Sequence, residues 1–420
     1  MPRGFYWLIA AQFCSALADN ALLIVTLAVL QERQLSPWLA PMLKFGFTLA
    51  YVLLAPFIGP LADAMPKGRL MAWMNALKLA GALALLAGLH PVAAFALVGL
   101  GAAAYAPAKY GLVTEIVPPR QLVAANGWLE VAVVVAVLLG TVCGGGLVSQ
   151  AWLHGVAQAA TALGAAPLQV SLATVVAVYL LASLLNLGVP ASGARYPAPS
   201  RRPGLLLGEF WRDNRRLWQD GDGGLSLAVT TIFWGVGATL QFIVLRWAHE
   251  ALALPLSQAA VLQGIVALGV IVGATAAGRW VPLTAARRML GFGVLLGLAM
   301  PALAAVDSLA LAVPLLVLAG AAGGLLVVPL NALLQHRGCQ LLSAGRSIAV
   351  QGFNENASVL AMLAGYAALV ALEVPLRALM TGFGLAIASA LMWLWLRAAR
   401  APRTAQPSAT PAAARPRSGR

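Results

Sequence analysis

Long apolar runs separated by short polar breaks repeat from one end of the chain to the other. They lie near 5–31, 40–62, 70–88, 91–113, 122–148, 165–189, 223–249, 257–280, 289–306, 310–334, 346–371 and 376–397. Each holds roughly 18 to 25 residues, enough for an α-helix to cross a hydrocarbon core about 30 Å thick. The breaks are turn-like, such as LSPW, HP and ALEVPL. The pattern predicts an all-α polytopic membrane protein of about twelve spans. One longer break, PASGARYPAPSRRPGLLLGEFWRDNRRLWQDGD, divides them six and six. This organisation predicts an N-terminal six-helix lobe over 1–190, a cytoplasmic linker over 191–222, a C-terminal six-helix lobe over 223–397 and a disordered basic tail over 398–420. Within the linker, GEFWRDNRRLW fits either a short amphipathic helix on an anionic leaflet or a plain solvated linker.

Composition narrows the class. The chain is 61% hydrophobic and 10% charged, whereas soluble domains carry about 25% charged residues. Too few charges remain to cover a water-facing surface. The stretch FCSALADNALLIVTLAVL could be a signal peptide cut after Ala18. However, apolar character continues on both sides of Asp19, whereas a signal peptide ends its apolar region at the cleavage site. One uncleaved helix is the simpler reading.

Net charge is +14, but the arginines fall in loops. With the N-terminus inside, 21 of the 27 Lys and Arg lie on the cytoplasmic side. The positive-inside rule therefore predicts two cytoplasmic termini, and no nucleic-acid partner is expected. The three cysteines and four histidines are scattered, so neither a metal site nor a cofactor is expected.

Candidate chemistry lies in polar residues within the spans, because an intramembrane charge is costly. These are Asp19 and Asn20 on span one, Lys78 on span three, Lys109 on span four, Asn126 and Glu130 on span five, Gln241 and Arg246 on span seven, Asn331 on span ten, and Asn354, Glu355 and Asn356 on span eleven. Both signs occur, so they can neutralise one another or grip a zwitterion. Asp19 is too short to snorkel from mid-depth and is expected to line a cavity. Lys78 fits a cavity or a structural ion pair; Arg246 fits a cavity or a snorkelling side chain. Glu130 and Glu355 fit a site or the stitching of helix ends. The Gly-rich runs LLGTVCGGG and AGAAGGLL are expected to mark close helix packing rather than phosphate loops. No P-loop lysine, paired catalytic carboxylates or Ser/His/Asp arrangement is legible, which argues against an enzyme.

Two echoes strengthen the two-lobe reading. Pro107-Ala-Lys109 followed by Asn126 and Glu130 is matched by Pro329-Leu-Asn331 followed by Asn354 and Glu355, as duplicated transporter halves would give. The break after span two, Gly59-Pro-Leu-Ala-Asp63-Ala-Met-Pro-Lys67-Gly68-Arg69, resembles the G-x-L-A-D-R-x-G-R loop of the major facilitator superfamily. Its acidic half matches, while the basic half comes two residues late. An Asp there can meet a helix N-terminus or a neighbouring Arg, so Gly59, Asp63, Gly68, Arg69 and Glu115 are candidate gating residues.

Longer strings resemble one family within that fold. AQFCSALADNALLIVTLAVL, GAAAYAPAKYGLVTE, VVPLNALLQHRG and GRSIAVQGFNENASVLAML are similar to LplT-type lysophospholipid transporters of bacterial inner membranes. The resemblance implies a flippase moving lysophosphatidylethanolamine- and lysophosphatidylglycerol-like lipids from the outer to the inner leaflet. It implies a separate cytoplasmic-side acyltransferase/acyl-carrier-protein synthetase that re-acylates them. It supports Asp19, Asn20, Lys109, Asn331, Asn354 and Glu355 as site residues, with Asp19 expected to take an ammonium and Lys109 a phosphate. Span seven departs, since Gln241 stands where the family pattern has arginine and Arg246 lies on another face. A proton-coupled drug or metabolite exporter driven through Asp19 and a lipid-modifying membrane enzyme are the rival readings.

Overall fold

The computed structural model describes residues 1–400 except 37, 163, 195 and 197–201, with the side chains of 256, 257 and 260 also left aside. The described residues are helical throughout their regular structure: α1 Arg3–Glu32, α2 Leu39–Ala64, α3 Lys67–Leu86, α4 Pro91–Ile116, α5 Leu122–Leu147, α6 Gln150–Ala162, α7 Pro167–Asn186, α8 Pro203–Gln219, α9 Gly221–Leu252, α10 Leu256–Trp280, α11 Leu290–Ala304, α12 Leu309–Leu341, α13 Ala344–Ala371 and α14 Leu376–Arg400. Eleven helical segments are long and apolar enough to cross a membrane. The twelfth crossing is α13, which at 28 residues is long enough but carries Arg346, Gln351, Asn354, Glu355 and Asn356.

The helices form two lobes. In the first, α1 packs on α5 and α7, and α3 on α4 and α7; in the second, α10 packs on α12, α11 on α14 and α9 on α13. Small residues let these backbones meet. A Cβ on Gly324 would lie 2.6 Å from the Ala274 nitrogen, and one on Gly144 would lie 3.0 Å from the Ala21 Cα. The glycine-rich runs therefore serve helix packing. Two helices do not cross. The 13-residue α6 went unassigned in the apolar pattern. The 17-residue α8 occupies the linker, so that stretch is a helix. The last span continues to Arg400; the tail beyond it lies outside the described residues.

Among the described residues, the lobes share an apolar core at one end. Twelve crossings return the chain to the end where it began, here termed the terminus end. There a single apolar core runs through both lobes, joining Phe5, Leu8, Leu112, Leu122 and Val123 to Ala274, Ala277, Val327 and Val328. At the far end the cores are separate, one around Leu22, Val25, Phe95 and Tyr179 and another around Ile243, Trp247, Leu303 and Met380. Correspondingly, α13 is buried only as far as Gln351; its remaining residues are half-buried or exposed. The molecule is thus a cleft between lobes, closed at the terminus end and open at the other.

Candidate functional site

The closure is built from α2, α4 and α5 against α10, α12 and α13. Asp63, at the end of α2, reaches across to the start of α13. It accepts hydrogen bonds from the backbone N–H groups of Gly345 (2.9 Å) and Arg346 (3.3 Å) and from the Ser343 hydroxyl. A helix N-terminus carries about half a positive charge and unpaired N–H groups, so the carboxylate caps the opposite lobe's helix. Behind it, Lys67 bridges Asp63 (3.5 Å) and Glu115 (2.5 Å), and Glu115 accepts from Ser192 and Tyr196. Deeper in the seam Asn126 and Gln335 exchange two hydrogen bonds of 2.8 Å. The approach needs small residues, since a Cβ on Gly59 would sit 2.9 Å from that of Ala349.

Above this seam lies a polar floor contributed by both lobes. Lys109 on α4 and Glu130 on α5 come from the first; Asn331 on α12 and Gln351 and Glu355 on α13 come from the second. At 1.5 Å per residue, they stand roughly 10 to 16 Å above the terminus ends of their helices. Gln351 Nε2 donates to Asn331 Oδ1 and to Glu355 Oε1, both at 2.8 Å. Lys109 is 8% exposed and Glu130 is 7% exposed. Neither joins an ion pair among the described residues. The Lys109 ammonium instead lies 4.0 Å from the centroid of the Tyr110 ring, a cation–π contact. A buried ammonium thus rests on an aromatic face with no carboxylate in direct contact among the described residues. The paired sequence echoes coincide here, since Pro107/Lys109 and Pro329/Asn331 occupy equivalent helices of the two lobes.

Asp19, expected to line a cavity, is held by partners from its own lobe. Lys78 Nζ lies 2.6 Å from Oδ2, and the Tyr179 hydroxyl donates to Oδ1 at 2.7 Å. Lys78 also donates to Ser15 (3.0 Å), which donates to Asn75 (2.9 Å). The side chains of Lys78 and Asp19 are 3% and 16% exposed. Asp19 is therefore neutralised within its own lobe by α3 and α7. Lys78 is its ion-pair partner.

The remaining candidates scatter. Asn126 belongs to the seam rather than the floor. Asn20 donates to its own helix at Ala16. Asn354 turns from the cleft toward α8, bonding Asn214 and the Trp218 indole. Gln241 is exposed, and only its backbone carbonyl is engaged, by Gln263. Arg246 pairs with Glu250 at 2.5 Å, one turn along its own helix near the far end. Arg69 is exposed, and Lys67 fills the position between the gate carboxylates. Gly68 lets the chain at Val189 pass, a Cβ there lying 3.1 Å from its carbonyl oxygen. Sequence reasoning missed Lys67, Tyr179, Gln335, Ser343 and Gln351. A glutamine inside an apolar run was the available signal for Gln351, and one at the edge of a run for Gln335.

Comparison with known proteins agrees with this architecture. The family model described as Major Facilitator Superfamily matches residues 8–350. The protein named lysophospholipid transporter LplT of Yersinia enterocolitica serotype O:8 is 42% identical over 376 residues, covering 89% of each chain. Its namesake from Yersinia pestis strain Pestoides F is 43% identical with the same coverage. Among solved structures, a bacterial homologue of the iron transporter ferroportin in outward-facing state aligns with a TM-score of 0.70 at 17% identity, covering 95% of this chain and 100% of the other. The transporter FucP in the outward conformation aligns with a TM-score of 0.70 at 17% identity, covering 95% and 99%. At that identity the structural likeness speaks for the fold alone.

Proposed function

The chain belongs to the Major Facilitator Superfamily and, within it, to the LplT-type lysophospholipid transporters; from that premise we propose that it carries lysophospholipids from the outer to the inner leaflet of a bacterial inner membrane. In this reading the terminus end is cytoplasmic, as the Lys/Arg asymmetry argues, and the described state is open outward. The observation that carries the proposal is the unneutralised Lys109 in a polar floor shared by both lobes. A lysolipid's single chain never needs to leave an apolar medium, whereas its head group must cross, and desolvating it is the barrier. Lys109 offers a charge-assisted contact to the phosphodiester. Glu130 and Glu355, one from each lobe, receive the ammonium of lysophosphatidylethanolamine or the glycerol hydroxyls of lysophosphatidylglycerol. Asp19, already balanced by Lys78, shapes the adjoining wall.

Transport then follows from which contacts can coexist. Head-group binding draws the lobes together at the open end. Opening at the other end breaks the Asp63 cap and the Asn126–Gln335 pair. These are the discrete contacts of a two-state seam. Delivery into the inner leaflet hands the lipid to a separate acyltransferase/acyl-carrier-protein synthetase that restores the missing chain. The test is purified protein in liposomes, with labelled lysophosphatidylethanolamine placed in one leaflet. Protein-dependent transfer to the other leaflet, reduced when Lys109 is replaced by Gln, supports the proposal. Transfer equal to protein-free liposomes refutes it, and a covalently altered lipid would point to the enzyme reading.

A further inference from the structure

The helix α8 separates its polar residues in an unusual way. Its two acids face the protein: Glu209 pairs with Arg346 at 2.6 Å and Asp213 with the same arginine at 3.2 Å. Its three arginines from Arg212 onward, Arg212, Arg215 and Arg216, are exposed, and none makes an ion pair among the described residues. Beside them stand Leu207, Trp211 and Trp218, 42%, 54% and 41% exposed. At 100° per residue, Leu207, Trp218 and Trp211 form one stripe within about 40°. Arg215, Arg212 and Arg216 form the next, over about 100°. The outer face is thus a basic stripe with no acid in it, and the half-exposed apolar stripe runs along its border with the protein, where Trp211 packs edge-on against Phe353 and the Trp218 indole donates to Asn354, both of α13. This is the composition of a helix lying in a membrane interface, rings at the acyl boundary and guanidinium groups among phosphates.

The inner face does a second thing. Phe210 packs in one apolar cluster with Ala55 of α2, from the first lobe, and Val350 and Phe353 of α13, from the second. Asn214 and Trp218 hold Asn354 of α13, and Arg346 of α13 is held by the two acids. One helix therefore straddles the α2–α13 seam beside the Asp63 cap. If α2 and α13 part, α8 cannot keep both contacts.

We propose that the outer face of α8 docks on the anionic phospholipid headgroups of the leaflet at the terminus end, and that this docking favours the state in which that end is closed. Lipid held by Arg212, Arg215 and Arg216 orients α8 flat on the surface, where its inner face strikes both α2 and α13. Loss of the lipid charge frees the helix and weakens the strap. The lipid concerned is a surface component rather than cargo in the cleft.

The test is the full chain with its three cysteines replaced by serine, carrying spin labels at Leu61→Cys on α2 and Thr284→Cys ahead of α11. It is reconstituted in vesicles of phosphatidylcholine alone or with phosphatidylglycerol, and inter-label distances are measured. No lysophospholipid is present, so the outcome is independent of the transport proposal. Phosphatidylglycerol is expected to raise the closed-over-open ratio by about tenfold, since each basic residue near an anionic surface contributes appreciably. The R212Q/R215Q/R216Q variant is expected to lose that response. An R279Q/R288Q variant, which removes two exposed arginines at the same end, is expected to keep it, as is the triple Arg→Lys variant. A triple Gln variant that responds like the parent, or equal loss in both Gln variants, would overturn the proposal. The replaced side chains face outward, so size-exclusion behaviour is expected to be unchanged.

Discussion

Replacing Asp19 by Asn leaves the Lys78 ammonium in a site where its side chain is 3% exposed. Its remaining neighbours are the Ser15 hydroxyl at 3.0 Å and the Tyr105 ring at 5.2 Å, and neither carries a compensating charge. Removing one partner of a buried ion pair costs about 3 to 5 kcal/mol, because the other charge stays buried and unpaired. Asp19 is itself 16% exposed, which argues for the lower part of that range. The geometry therefore predicts a loss of stability on replacing Asp19, and not a loss of transfer alone. Lys78→Met should destabilise similarly, by stranding the carboxylate. The double variant Asp19→Asn/Lys78→Met should recover most of the loss, since a hydrophobic isostere often replaces a buried pair at little cost. Thermal unfolding of detergent-purified protein, followed by tryptophan fluorescence, closes the double-mutant cycle. Single-variant costs that simply add in the double variant would refute the claim that the pair is one buried electrostatic unit. Leaflet transfer by the double variant then separates roles. Retained transfer leaves the head group to the Lys109 floor, whereas loss with restored stability returns it to Asp19.

Lys109→Gln should reduce lysophospholipid transfer at least about tenfold, as expected on losing a charge-assisted contact, with a small stability change measured in the same melts, because no direct ion pair is broken. Gly59→Leu should hold the terminus end open, since even a Cβ there meets Ala349 at 2.9 Å and the Arg346 Cα at 3.0 Å; distance measurements between spin labels across α2 and α13 would reveal the shift. Asp220 supplies a pH dependence. Burial works against its ionisation, but the Arg337 guanidinium and the Gly223 N–H outweigh this, so its carboxyl lies below its ordinary range. A lowered pKa contributes stability that is fully present above the unfolded value, about 3.9, and is lost as pH falls through the folded value. Asp220→Asn should therefore narrow the difference in melting temperature between neutral pH and about pH 3, and an unchanged difference would count against the stabilising contacts of Asp220 with Arg337 and Gly223.

Much of this molecule was legible in one dimension. Apolar runs of membrane length set the number of crossings, because a helix is the structure that satisfies its own backbone in hydrocarbon without a closed barrel. The Pro/Gly- and Arg-rich break set the division into lobes, and the long strings shared with relatives set the family. Lys109, Glu130, Asn331 and Glu355 were legible as costly polar residues, and they meet in one floor. What the sequence left open was partnership. Asp19 and Lys78 are 59 positions apart, Asn126 and Gln335 are 209 apart, and Ser343 meets Asp63 across 280. An intramembrane charge is equally costly whether it awaits a ligand or needs a neighbour, so its type and depth cannot distinguish the two. Only the packing of α3 and α7 against α1 made Asp19 an internal pair. Only the meeting of four helices from two lobes left Lys109 buried yet unpaired. Side-chain direction decides such matters, and long-range contacts set it.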